Sequence, residues 1–167
     1  EKVELQEGVA VRNQCNLARI SIGKSSLIDS EVRCVGHGRG SIRIGENSYI
    51  GIGNILDHSH DIKIGDFVHI AGSSTCLWTH STARAALRSV KLNDLNTEEI
   101  ETAPIKIENN VYIGGNCTIY PGIHIHEHVI ITPNSVVISD VEPYTMVGGN
   151  PAKIIKPYPS RNRTHGG

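Results

Sequence analysis

Ile107, Ile113, Ile119, Ile125, Ile131 and Val137 stand at consecutive positions six residues apart. That spacing matches neither the helical period of about 3.6 residues nor the two-residue alternation of a single strand. Four residues after each comes a second small or branched residue: Val111, Cys117, Ile123, Val129, Ser135 and Val141. Two inward positions in every six define one flat face, so each hexapeptide reads as a short strand plus a corner. Three such units close a coil, and coils stack at strand spacing, about 4.8 Å. The pattern predicts an all-β triangular solenoid, a parallel β-helix, in which each coil buries its aliphatic row against the next.

Upstream the count recurs as Ile22 and Ile28, then Ile44, Ile50 and Leu56, then Ile64 and Ile70, and the shifts between groups read as short insertions. Gly23, Gly45, Gly51, Gly65 and Gly114 each follow an inward isoleucine, where a tight corner favours a residue without a side chain. Asn109, Asn110, Asn116 and Asn134 suit similar turns. Stacked coils leave sheet edges at both ends that need covering. Residues 1–15 and the run VGGNPAKIIKPY are the candidate caps. Asn150 and Pro151 stop the repeat, and a helical turn is expected over Ala152 to Lys156. A single domain is expected over residues 1–157, with a disordered tail at 158–167.

One stretch breaks the period. Directly after Trp78, Thr79 and His80 the count fails, and residues 81–103 form a long excursion. Loops of this length inside a compact domain are usually functional or disordered. Within it, TARAALRSVKL has the composition of a helical turn.

Composition narrows the function classes. Aromatic residues are only 4% of the chain, which suits a narrow prism filled by branched aliphatics. The net charge of -1 and the scatter of Lys and Arg give no basic surface for nucleic acid. Cys15, Cys34, Cys76 and Cys117 form no C-x-x-C pair, so free thiols in a reducing compartment are the default. No apolar run approaches the about 18 residues of a membrane span. The expectation is a cytoplasmic protein without a membrane span.

The segments IGDFVHIAG, WTHST followed by a long insertion, and IENNVYIGGNCTIYPGIHIHEHVIITPNSVVISDVEPYTMVGGNPAKIIK resemble the hexapeptide-repeat acyltransferases of the left-handed β-helix class. The subgroup they resemble is that of the maltose, galactoside and polysaccharide sugar O-acetyltransferases. The resemblance covers roughly residues 20 to 157, and the run ending in GGNPAKIIK is its most specific part. It implies a homotrimer with acetyl-CoA in the groove between neighbouring prisms, and direct acetyl transfer to a sugar or nucleotide-sugar acceptor. It also implies that the excursion leaves the coil just after the catalytic histidine, which is His80 here.

The chemistry asks for few groups. An acceptor hydroxyl is a poor nucleophile until a base within hydrogen-bond reach takes its proton, and imidazole suits that task. By the resemblance, Gly115 in IGG meets the pantetheine arm, Pro133 and Ser135 in ITPNSVV form the turn beside it, and Lys153 meets a CoA phosphate. Pro133 lacks an N–H to offer there. Asp57, His60, Asp61 and Trp78 are the candidates for the acceptor side.

Rival readings stay open at this stage. The run HDIKIGDFVHIAG also resembles the sialic acid and bacillosamine branch of N-acyltransferases, by which His60 would be the base and His69 its neighbour. His124, His126 and His128 alternate, but inward Ile123 and Ile125 turn them outward, and no metal requirement is expected. No two histidines stand five positions apart as in the β-helix carbonic anhydrases. Repeats by themselves catalyse nothing, so a noncatalytic β-helix scaffold is the reading from another class.

Overall fold

The computed structural model describes residues 2–38, 40–91 and 98–158. Strands of two to five residues wind into about seven turns of a left-handed parallel β-helix. Face A stacks Val3–Leu5, Ile20–Ile22, Ile42–Ile44, Ile62–Ile64, Ile105–Ile107 and His124–Ile125. Face B stacks Ala10–Val11, Leu27–Ile28, Tyr49–Ile50, His69–Ile70, Tyr112–Ile113, Ile130–Ile131 and Thr145–Gly148. Face C stacks Arg33–Val35, Ile55–Asp57, Cys76–Leu77, Thr118–Ile119 and Val136–Val137.

The hexapeptide rows become ladders inside the prism. Ile22, Ile44, Ile64, Ile107 and Ile125 lie in register on face A, and Ile28, Ile50, Ile70, Ile113 and Ile131 on face B. Cys34, Leu56, Leu77, Ile119 and Val137 do the same on face C, and no member of the three ladders is more than 4% exposed. Each fully buried aliphatic side chain contributes about 1.5–3 kcal/mol over an exposed one, so the ladders are the main stabilising feature.

The corner glycines have a different cause from the one their spacing suggests. Gly45 has an ordinary φ, but a Cβ there would lie 2.2 Å from Asp66 Oδ1 and 2.6 Å from the Gly65 carbonyl carbon. The backbone of the next coil occupies the space, so close approach rather than conformational freedom selects glycine. Positive φ falls instead on Asn110, Asn116 and Asn134, at 59°, 56° and 61°.

The three largest interruptions of the repeat share one location. Cys34 to Ile44 spans ten residues, Leu56 to Ile64 eight and Leu77 to Ile107 thirty, where a regular hexapeptide step is six. All three surpluses fall where the chain turns from face C to face A. These three insertions therefore stack on a single edge, the C/A corner, whereas the seven-residue step from Ile70 to Leu77 adds one residue at the B/C corner.

The excursion that leaves this corner is anchored at its root. His80–Ser81 pairs antiparallel with Glu101–Thr102, Ala103 N–H donates to Thr79 O at 3.0 Å, and Arg84 reaches Glu101 at 2.6 Å. The helical turn expected in TARAALRSVKL is present as Ala83–Leu87. Residues 92–97 of the excursion and 159–167 of the tail lie outside the described residues.

The C-terminal cap corrects an expectation. Residues 152–156 form no helical turn: Lys153–Pro157 is an exposed strand, antiparallel to Thr145–Gly148. The last coil leaves that strand with an open edge, and an extended segment rich in β-branched residues pairs with it as a helical turn cannot. No described helix is long and apolar enough to cross a membrane.

Candidate active site

Asp57 ends a face C strand and has no exposed surface. A carboxylate is buried there because every direction around it supplies a donor. Oδ1 accepts from the Ser59 hydroxyl at 2.7 Å and the Ser59 N–H at 3.0 Å. Oδ2 accepts from the Thr79 N–H at 2.8 Å and faces His80 Nδ1 at 2.6 Å. Burial pushes the Asp57 carboxyl up, but the hydrogen bonds from Ser59, His80 and Thr79 outweigh it and hold the group below its ordinary value. An ionised carboxylate can only accept, so Nδ1 of His80 carries the hydrogen and Nε2 presents its lone pair.

The His80 side chain is 27% exposed, at the mouth of the excursion. The Trp78 ring meets it edge-on, with centroids 6.1 Å apart and planes at 84°. Thr79 points the other way: its hydroxyl donates to Asp57 O at 2.6 Å and accepts from the His60 N–H at 2.9 Å. Thr79 thus ties the histidine's coil to the coil below.

Below both coils runs a glycine-rich strip. A Cβ on Gly36, whose φ is +122°, would lie 2.5 Å from Asp57 Oδ1. One on Gly38 would lie 1.9 Å from Ser59 O, and one on Gly40 2.2 Å from the His60 carbonyl carbon. The alternation of Gly36, Gly38 and Gly40 lets the carboxylate's coil settle onto the one beneath. Ser59, Thr79 and these glycines were missed by sequence reasoning, although the glycine alternation was visible at an insertion.

The expected acceptor-side residues divide. Trp78 and His60 are half-buried; Trp78 meets the His80 ring, and His60 reaches Thr79, the residue before it, through its N–H. Asp57, expected on the acceptor side, is fully buried with its Oδ2 against His80 Nδ1. Asp61 is exposed, but Oδ1 is held by Ser41 through N–H at 2.8 Å and hydroxyl at 3.0 Å, which, with the Ser41 N–H foremost, lowers its pKa. His60 Nδ1 accepts the Asp61 N–H at 2.7 Å, so its neutral ring carries the hydrogen on Nε2.

The expected acetyl-CoA residues lie elsewhere on the prism. Gly115 and Pro133 sit at the B/C corner, between strands of faces B and C, and Lys153 lies on the exposed strand that closes face B. Gly115 is glycine because a Cβ would meet Gly72 O at 2.4 Å. Ser135 is fully buried, donating to Thr132 O at 2.6 Å and accepting from Gly149 N–H at 3.2 Å. Its side chain shapes the turn and has no surface for a ligand. Of the alternating histidines, His124 and His126 stack at the A/B corner with centroids 3.8 Å apart, and His128 stacks on Tyr144 at 4.8 Å.

The structure is thus a β-helix that sets an imidazole against a buried carboxylate at the root of a long loop. Residues 104–139 match the bacterial transferase hexapeptide family of six repeats. The chain is 30% identical over 145 residues to WbbJ of Escherichia coli, a candidate lipopolysaccharide biosynthesis O-acetyl transferase, covering 71% of this chain and 73% of that protein. It belongs to the hexapeptide transferase family. It is also 30% identical over 123 residues to the galactoside O-acetyltransferase of Escherichia coli, covering 74% of this chain and 57% of that one. Among the first relatives matched, the chain spans between 36% and 73% of their length. The hexapeptide-repeat acetyltransferase VCA0836 of Vibrio cholerae, complexed with acetyl coenzyme A, superposes with a TM-score of 0.58 at 27% identity, over 92% of this chain and 73% of that one. AntD of Bacillus cereus, an N-acyltransferase, shares the fold with a TM-score of 0.73 at 23% identity, over 94% and 80% of the two chains.

Proposed function

We propose that this chain is an acetyl-CoA-dependent acyltransferase that moves an acetyl group directly to a hydroxyl of a sugar or nucleotide-sugar, with His80 as general base. The observation that carries this reading is the 2.6 Å contact from His80 Nδ1 to the buried Asp57 carboxylate. Nε2 takes the acceptor proton as the hydroxyl oxygen attacks the thioester carbonyl. The tetrahedral intermediate collapses with the CoA thiolate as leaving group, and no covalent enzyme intermediate forms. The Asp57 carboxylate stabilises the imidazolium while it holds the proton. The step calls on no metal, and a cytoplasmic supply of acetyl-CoA fits it.

Corner geometry supports a homotrimer with shared sites. His80 lies at the C/A corner, whereas Gly115 and Pro133 lie at the B/C corner and Lys153 at the end of face B. A site containing both groups draws them from neighbouring copies. The outward row of face A carries Arg43, Lys63, Lys106 and His124, and that of face B carries Tyr49, His69, Tyr112 and Ile130. Cations suit aromatic faces, and an A-to-B contact repeated around a threefold axis closes a ring. It sets the C/A corner of one copy beside the B/C corner of the next, leaving the groove for acetyl-CoA. In that groove Pro133 flanks the pantetheine arm at the turn that Ser135 holds, Gly115 leaves room, and Lys153 meets a phosphate.

The tautomer of His60 disfavours the N-acyltransferase reading with His60 as base, because its neutral Nε2 is a donor. Incubation with acetyl-CoA and a panel of sugar and nucleotide-sugar acceptors tests the reading. Acceptor-dependent thiol release supports it; silence across the panel favours the noncatalytic scaffold.

A further inference from the structure

We infer that Glu108, His124 and His126 form a binding site for one divalent transition-metal ion, at the A/B corner and away from His80. The three side chains come from two stacked coils. His124 Nε2 lies 2.8 Å from Glu108 Oε1, and His126 Nδ1 lies 3.7 Å from Glu108 Oε2. One ligand atom from each falls within 4.8 Å of the other two. Ligands on a tetrahedral ion with bonds of about 2.1 Å stand roughly 3.4 Å apart, so small side-chain movements suffice to close the set.

The donor types fit the geometry. Two imidazole nitrogens and one carboxylate oxygen, with a fourth position open to water, suit zinc and its borderline neighbours better than calcium or magnesium. The stacking of the His124 and His126 rings, at 3.8 Å between centroids and 31° between planes, sets their nitrogens toward the same carboxylate. Lys106 Nζ also touches Glu108 Oε1 at 2.8 Å and competes there for the carboxylate. It leaves Oε2, which faces His126, for the ion. Each of the three residues is about one-third exposed or less at its side chain, with values of 27%, 27% and 32% for Glu108, His124 and His126. In the ring proposed above this corner turns toward the threefold axis, and an ion reaches the three side chains along that axis.

Equilibrium dialysis and visible absorption with Co²⁺ as the probe, on the full chain, test the site. The expected result is one Co²⁺ per chain with a nitrogen and oxygen ligand spectrum lacking a thiolate charge-transfer band. The double substitution His124→Gln and His126→Gln should abolish that binding while metal-free thermal unfolding stays within a few degrees. Binding that survives in the double variant, a thiolate band from the cysteines, or no stoichiometric binding would each overturn the assignment. Should the double variant fold poorly, Glu108→Gln alone is expected to lose the same equivalent of Co²⁺.

Discussion

His80 and Asp57 come from successive coils, yet Nδ1 of one lies 2.6 Å from Oδ2 of the other. The carboxylate fixes the ring orientation and the site of its hydrogen. An amide at residue 57 keeps the shape but loses the charge that holds Nδ1–H in place. Asp57→Asn should lower kcat by about 10²–10⁴, the range general-base assistance supplies. The KM for acetyl-CoA should change little, because the cofactor contacts proposed here lie on the neighbouring corner. Steady-state thiol-release kinetics check both halves of that statement.

The same carboxylate links stability to pH. Its pKa is lowered in the folded chain, so the stability it contributes is present above its ordinary value of 3.8 and fades as pH falls through the folded value. At neutral pH, Asp57→Asn should cost about 1.5–3 kcal/mol, as expected for hydrogen bonds to a charged group. The gap from wild type should narrow in thermal melts taken below the ordinary carboxyl value. A gap that widened in acid would reverse the assigned sign.

Shared sites make a prediction about mixtures. His80→Ala removes the base, and Pro133→Trp fills the exposed turn at the B/C corner, so each homotrimer should be nearly inactive. Random mixed trimers contain sites with His80 from one copy and Pro133 from its neighbour. Co-refolding equal amounts should restore about a quarter of wild-type activity, by symmetry and chance alone. Sites built within one chain would give no restoration.

Gly38 bears on both packing and chemistry. A Cβ would stand 1.9 Å from Ser59 O, so the coil carrying Asp57 and Ser59 must lift. Gly38→Ala should destabilise the chain by about 1–3 kcal/mol, the cost of overpacking. It should also lower kcat beyond the effect on Tm, since the Ser59 and Asp57 hydrogen bonds move with the backbone. Paired melting and kinetic measurements on the variant show whether the two effects travel together.

The fold was legible because burial at every sixth residue leaves a trace that no local propensity blurs: Ile107 to Val137 could be placed on three faces from their spacing. His80 was legible for the opposite reason, standing where that trace ends. Asp57 was visible as a residue but not as a partner, because it lies 23 positions upstream and meets His80 only through stacking. The Glu108 and His124 contact, 16 positions apart, was hidden for the same reason. That three insertions share one corner follows from counting across Cys34, Leu56 and Leu77, which requires knowing which face each one occupies. The cap at Lys153–Pro157 was misread because the pairing need of an open edge, a tertiary condition, decided its conformation.

The most direct test compares His80→Ala with His60→Ala under saturating acetyl-CoA and acceptor. The account predicts that kcat falls by about 10² or more for His80→Ala, while His60→Ala keeps most of its turnover. Near-full turnover in His80→Ala, with the loss appearing in His60→Ala, would contradict it.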